Sequence, residues 1–85
     1  MHQVGDFLIM EIKKRFGLAV REQRKRLNVS QEELAMRIGA DQAYFSRIEA
    51  GQMNVTLDTV EQIAEALQVD AGDLLRMGAG AADRT

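Results

Sequence analysis

Four positions near the middle of the sequence carry side chains that could contact the edges of nucleic-acid bases. They fall in residues 41–50, where Phe45 and Ile48 recur at helical spacing and would face a core. The positions that would then point outward are Gln42, Ala43, Ser46 and Arg47. Glutamine and arginine can each make two hydrogen bonds to one base edge, that of adenine and guanine respectively. Serine can bond to several bases, and an alanine methyl can touch a thymine methyl.

Catalytic and metal-binding chemistry is not predicted. Glu32 and Glu33 are adjacent acids, but Glu33 fits a capping role, and neither a histidine nor a phosphate-binding glycine loop accompanies them. The single histidine, His2, lies near one end of the sequence, and there is no cysteine for a disulfide or a thiolate metal site. We therefore expect no enzymatic activity, no metal and no cofactor, and no small-molecule ligand is evident.

The composition predicts an all-α fold. The chain has 85 residues, no proline and four aromatic residues, and helix-forming residue types dominate it. Apolar residues of the first helix recur in steps of three and four from Ile12 to Leu27. The fourth helix would bury Leu57, Val60, Ile63, Ala64 and Leu67, and a short fifth helix would carry Leu74, Leu75 and Met77 on its apolar side. We divide the chain into an N-terminal extension (1–11), which could be a helix or an arm, a domain (12–77) and a flexible tail (78–85).

Capping signals separate the short helices of the central region. Ser30 and Glu33 match a capping box, in which the Ser30 hydroxyl accepts from the Glu33 amide and the Glu33 carboxylate reaches back to the Ser30 amide. Gly39 can adopt the positive φ that ends the second helix. Thr56 and Asp70 are predicted to cap the fourth and fifth helices.

The charges are unevenly distributed along the chain. A net charge of −2 is, by itself, an argument against nucleic-acid binding, because phosphate binding needs local positive potential. The first helix, however, concentrates the basic residues Lys13, Lys14, Arg15, Arg21, Arg24, Lys25 and Arg26. A later stretch without any base carries Asp58, Glu61, Glu65, Asp70 and Asp73. This pattern predicts one basic face and one acidic end.

A series of motifs occurs in order along residues 12–75. They are Phe16-Gly17-x-x-Val20-Arg21-x-x-Arg24, Ser30-Gln31-Glu32-Glu33-Leu34-Ala35, Gly39, Phe45-Ser46-Arg47-Ile48-Glu49-x-Gly51 and Ile63-Ala64-x-x-Leu67. Together they resemble the phage repressor and Cro family (XRE family) of helix-turn-helix transcriptional regulators. The resemblance implies a five-helix, lambda-repressor-like DNA-binding domain with its helix-turn-helix at helices 2 and 3. Helix 3 would enter the major groove of double-stranded DNA.

One group within this family is especially similar. Arg47-Ile48-Glu49-x-Gly51 followed by Asn54-Val55-Thr56-Leu57 is similar to the small controller proteins of restriction-modification systems. Those proteins commonly carry a more basic segment where this chain has Ala50-Gly51-Gln52-Met53. The similarity implies a controller that regulates its own operon.

The resemblance also implies roles for individual residues. The base-contacting positions would be Gln42, Ala43, Ser46 and Arg47. Gln31 would contact a phosphate and brace the recognition helix, and Arg24 would form a structural ion pair with Glu49. Further phosphate contacts are expected from donors around the recognition helix, namely Tyr44, Gln52, Asn54, Arg21 and Lys25. Asp41 could cap the third helix or accept from a cytosine amino group.

We expect the protein to act in the cytoplasm as a homodimer. One domain of this size makes few base contacts, so specificity normally requires two copies on a pseudo-palindromic site. The apolar residues available for an interface are Leu74, Leu75 and Met77, with part of the Phe7–Met10 run. No apolar run is long enough to span a membrane. The alternative from another class is a protein-interaction module, such as an antitoxin or adaptor, that uses the same fold.

Overall fold

The computed structural model describes the backbone of residues 4–82 and the side chains of residues 12–77. The helices are α1 (Val4–Arg26), α2 (Gln31–Arg37), α3 (Gln42–Glu49), α4 (Leu57–Ala66) and α5 (Ala71–Ala82). The backbone of residues 4–82 contains no strand, so the predicted all-α, five-helix fold is confirmed. None of the helices in this range is both long enough and apolar enough to cross a bilayer.

Every helix contributes apolar side chains to the core. The buried apolar residues are Phe16, Ala19, Val20, Val29, Leu34, Ala35, Phe45, Ile48, Val60, Ile63, Ala64, Leu67 and Leu74. Helix α1 packs against both α3 and α5, while α2 packs against α3 and α4. Burial of a leucine, isoleucine or phenylalanine side chain contributes about 1.5–3 kcal/mol, so this cluster is what holds the short α2 and α3 in place.

Polar caps begin the helices at the predicted residues. A side-chain oxygen of Ser30, Thr56 or Asp70 accepts from the backbone N–H three residues later, at 3.0–3.1 Å. Such a cap typically contributes about 1 kcal/mol. The second half of the predicted capping box differs, because the Glu33 carboxylate accepts from Nη2 of Arg37 at 2.7 Å. The Glu33 carboxylate therefore pairs with Arg37, an exposed residue one helical turn away, instead of with the Ser30 amide.

Three predictions about apolar side chains were wrong. Ile12 and Leu57 were expected in the core, but their exposed fractions are 53% and 82%. Leu57 is the first residue of α4, where Asp58 is exposed as well, and burial in this helix begins at Val60. Leu74 was expected at a dimer interface, but its exposed fraction is 0% because α5 packs against α1. Of the predicted interface residues whose side chains the structure describes, Leu75 and Met77 are exposed.

The two terminal helices extend beyond the domain boundaries that we expected at residues 12 and 77. Helix α1 begins at Val4, so residues 4–11 of the N-terminal extension continue its backbone. Helix α5 continues to Ala82, into the segment that we expected to be a flexible tail. Once a helix has formed, each added residue gains a hydrogen bond, and alanine has the highest helix propensity. The side chains of the Phe7–Met10 run, like residues 1–3 and 83–85, lie outside the described residues.

Candidate nucleic-acid interface

Helix α3 presents the predicted polar face to solvent. Gln42, Ala43, Ser46 and Arg47 are all exposed. The opposite face is anchored by Phe45 and Ile48, which are buried in the core. Among the described residues Arg47 forms no ion pair, so all of its guanidinium N–H groups remain available to a ligand.

The start of α3 is defined by Asp41. Its Oδ1 accepts from the Tyr44 backbone N–H at 2.8 Å, so Asp41 is the N-cap of the helix. Of the two roles that the sequence left open, the capping role is therefore present in the structure, and it uses one of the two carboxylate oxygens. The orientation of the first turn, which carries Gln42 and Ala43, is therefore set by a local hydrogen bond.

The last residue of α3 is held by a bidentate ion pair. Nε of Arg24 lies 2.7 Å from Oε2 of Glu49, and Nη2 donates to Oε1 at 3.0 Å. Nη1 of Arg24 also donates to the Val29 carbonyl at 2.9 Å. The Glu49 and Arg24 side chains are only 4% and 11% exposed, so these hydrogen bonds replace the water that both charges lose. Arg24 is thus part of the fold and is not available to DNA.

Gln31 shares this buried carboxylate. Its Nε2 donates to Oε1 of Glu49 at 2.9 Å, which links the first residue of α2 to the last residue of α3. One N–H of the Gln31 amide is used in this contact, and the other N–H is left for an external acceptor. The family resemblance implied that Gln31 braces the recognition helix, and this hydrogen bond is such a brace, but Glu49 was not predicted as its partner because no local pattern relates residues 18 positions apart.

Two glycines allow α3 to fit among its neighbours. Gly39 has φ +70°, a conformation that side-chain-bearing residues rarely adopt, and it turns the chain from α2 towards α3. Gly17 lies where α1 crosses the end of α3, and a Cβ atom there would be 2.6 Å from the Ile48 carbonyl oxygen. The absence of a side chain at Gly17 therefore permits direct backbone contact between the two helices.

The other proposed DNA-contacting residues surround α3 to different degrees. Arg21 and Lys25 are exposed in the C-terminal half of α1. Gln52 and Asn54 are exposed in the loop that follows α3, whereas Tyr44 is half-buried and packs on the core. The acids Asp58, Glu61, Glu65, Asp70 and Asp73 are all exposed as well. The described side chains include no group of three or more acids or histidines that could hold a metal ion.

Comparison with known proteins identifies the protein family to which this chain belongs. Residues 20–74 match the family described as helix-turn-helix, and the chain belongs to that family. It is 46% identical over 61 residues to the control protein C.BamHI of Bacillus amyloliquefaciens, which covers 71% of this chain and 75% of the relative. The predicted family resemblance is therefore confirmed.

Solved structures share the fold. The restriction-modification controller protein C.AhdI from Aeromonas hydrophila has a TM-score of 0.71 and 36% identity, covering 78% of this chain and 94% of its own. The clp gene regulator ClgR from C. glutamicum has a TM-score of 0.79 and 28% identity, covering 81% and 88%. These relatives are transcriptional regulators and control proteins and not enzymes. The present chain is a DNA-binding transcriptional regulator of the controller-protein type.

Proposed function

We propose that the protein binds a pseudo-palindromic operator in double-stranded DNA as a homodimer, with α3 of each copy in the major groove. The observation that carries this proposal is the division of α3 into an exposed polar face and a buried face that ends on the Arg24–Glu49 ion pair. A helix that is rigidly anchored on one side can hold base-reading side chains in a fixed register.

The base contacts are assigned to the exposed face of α3. Arg47 and Gln42 would supply most of the specificity, since each can make two hydrogen bonds to one base edge. Ser46 and Ala43 would make weaker distinctions, through a hydroxyl and a methyl group respectively. Each bidentate pair discriminates between bases by about 1–3 kcal/mol.

Phosphate contacts would position this face on the duplex. Gln31 is held by Glu49 and still has an N–H for a phosphate oxygen. The exposed cations Arg21 and Lys25 and the exposed amides of Gln52 and Asn54 would contact the flanking backbone, as would the Tyr44 hydroxyl. Such contacts carry no sequence information but set the register of the complex.

The similarity to C.BamHI and C.AhdI supports a controller role in a restriction-modification system, including regulation of its own operon. Such a regulator would act in the cytoplasm, where a bacterial operon is accessible. Two copies are required in this proposal because a single α3 reads too few base pairs for useful specificity.

The proposal is tested by binding the purified protein to pooled genomic fragments over a series of salt concentrations. We expect enriched sites with dyad symmetry and an affinity that falls as salt rises. The matched control is the double variant Gln42→Ala, Arg47→Ala, which changes only exposed residues and should retain salt-dependent binding while losing the enrichment. Salt-dependent binding by the unmodified protein without any enriched sequence would contradict the proposal. A complete lack of DNA binding would favour the protein-interaction module.

A further inference from the structure

The Asp41 side chain retains one available oxygen after it caps α3. Oδ1 accepts from the Tyr44 backbone N–H at 2.8 Å, which holds the carboxylate at the start of the helix. Among the described residues, Oδ2 takes part in no hydrogen bond and in no ion pair. Asp41 is exposed, so it presents to solvent an oxygen that can accept hydrogen bonds but cannot donate them.

This carboxylate lies beside the side chains to which we assign base contacts. Asp41 directly precedes Gln42 and Ala43, which are exposed on the first turn of α3. The hydrogen bond to the Tyr44 amide joins Asp41 to the same turn, so its free oxygen is positioned together with that turn. A helix that places Gln42 in the major groove therefore brings Oδ2 of Asp41 to the same groove.

The negative charge of Asp41 is not needed for capping. Serine, asparagine and aspartate are about equally effective N-caps. Helices α2 and α4 begin with the neutral caps Ser30 and Thr56. Both caps lie close in the chain to the proposed phosphate contacts of Gln31 and Asn54. A carboxylate would be repelled by a phosphate but can accept a hydrogen bond from a base edge, so the charged cap of α3 fits a base.

The pattern of donors in the major groove identifies the base. The N–H donors exposed in this groove belong to the amino groups of cytosine and adenine. Adenine places the acceptor N7 beside its amino group, and a carboxylate close to that nitrogen would be repelled. Cytosine presents only its N4 amino group, so it is the base that best fits a side chain that accepts without donating.

We propose that Oδ2 of Asp41 accepts a hydrogen bond from the N4 amino group of a cytosine in each half-site, and that methylation of this nitrogen weakens binding. This inference rests on the proposed function and adds a base contact to those of the exposed α3 face. When N4 carries one methyl group, its remaining hydrogen is used in the Watson–Crick pair and the methyl group faces the major groove. Asp41 thereby makes the protein sensitive to one kind of DNA methylation.

The first test uses the unmodified protein and synthetic DNA. Binding sites are selected from a randomised pool, and the required cytosine is then replaced by N4-methylcytosine. We expect the affinity to fall by about tenfold or more, because a hydrogen bond to a charged group is lost. The matched control is 5-methylcytosine at the same position, which keeps the N4 hydrogen in the groove and should have a much smaller effect. Equal affinities for the two methylated sites would overturn the proposal.

The second test converts the acceptor into a donor. In Asp41→Asn the side-chain carbonyl oxygen can still cap α3, which leaves the NH₂ group to face the base. Selection should then replace the preferred cytosine with guanine or thymine, whose major-groove edges offer acceptors. The control is Asp70→Asn at the N-cap of α5, where Oδ2 accepts from the Asp73 amide, and it should retain the cytosine preference. The same cytosine preference in Asp41→Asn would overturn the proposal.

The selected sequences separate this inference from the proposed function. Enriched dyad-symmetric sites without a required cytosine would disprove the Asp41 contact and support the proposed function. Binding without any enriched sequence would disprove both, because the contact depends on sequence-specific recognition. The methylation test needs no protein variant, so it can overturn the proposal even if Asp41→Asn does not fold.

Discussion

Gln31 donates a hydrogen bond from Nε2 to Oε1 of Glu49 at 2.9 Å. The same carboxylate oxygen also accepts from Nη2 of Arg24, at 3.0 Å. Helices α1, α2 and α3 therefore meet on one buried acid. Since a buried carboxylate is costly unless several donors satisfy it, the placement of α3 depends on Arg24 and Gln31 together.

The buried ion pair leads to a prediction about stability. Arg24→Ala should lower the free energy of unfolding by about 3–5 kcal/mol, because Glu49 would be left buried without its main partner. Urea denaturation measures this loss. The control is Arg37→Ala, which removes an ion pair to Glu33 whose side chains are 42% and 48% exposed and should change stability by less than about 1 kcal/mol. Similar small effects for both variants would show that the Arg24–Glu49 pair does not hold the fold.

Gln31 leads to a prediction about affinity. Gln31→Ala should weaken DNA binding by about tenfold for every sequence, because a hydrogen bond to a phosphate is lost. The slope of log affinity against log salt should stay the same, since a neutral amide releases no counterion. Binding titrations at several salt concentrations measure both quantities. An unchanged affinity would restrict Gln31 to its contact with Glu49.

Lys25 leads to a prediction about the salt dependence of DNA binding. Lys25→Ala should also weaken binding uniformly across sequences, but with a reduction of about 2 in the magnitude of the salt slope, because one cation at the phosphate backbone is removed from each copy of the proposed homodimer. Lys25 is exposed, so the unfolding free energy should be nearly unchanged. A salt slope equal to that of the unmodified protein would place Lys25 away from the DNA.

Arg47 should determine base preference. Arg47→Ala is expected to relax the preference at one symmetric position of each half-site, with a loss of about 1–3 kcal/mol in discrimination. Selection of bound sequences from a randomised pool compares the preference profiles of the variant and the unmodified protein. The fold should be unaffected, because Arg47 is exposed and forms no ion pair among the described side chains. An identical profile would mean that another residue reads that position.

The close approach of α1 and α3 predicts that alanine at position 17 lowers stability, although alanine favours a helix more than glycine does. Gly17→Ala should destabilise the protein by about 1–2 kcal/mol, since the added methyl would lie 2.6 Å from the Ile48 carbonyl oxygen, although alanine favours a helix by about 1 kcal/mol. Thermal and urea unfolding measure the difference. The control is Gly72→Ala in α5, where the nearest atom is a side-chain oxygen of Asp70 at 3.0 Å and no backbone atom lies close, and stability should remain within about 1 kcal/mol. A stabilised Gly17→Ala would show that α1 and α3 separate freely.

Local sequence patterns were sufficient to predict five helices and the starts of α2, α4 and α5, although not the full length of α1 and α5. The caps Ser30, Thr56 and Asp70 and the positive φ of Gly39 all occur where the residue types predicted them. These features depend on interactions within a few residues along the chain, and a single helix turn contains all the atoms involved. The exposed face of α3 follows from the same short-range periodicity.

The burial of individual apolar side chains depended on contacts between distant segments. Leu57 and Leu74 have the same residue type and both fall on an apolar stripe, but Leu57 is 82% exposed and Leu74 is 0% exposed. Periodicity identifies which face of a helix is apolar, but the packing of another helix determines whether that face is covered. Leu74 lies on α5, which packs against α1, whereas Leu57 is the exposed first residue of α4. The Gln31–Glu49 contact is likewise a property of the packed helices, because only folding brings these two residues together.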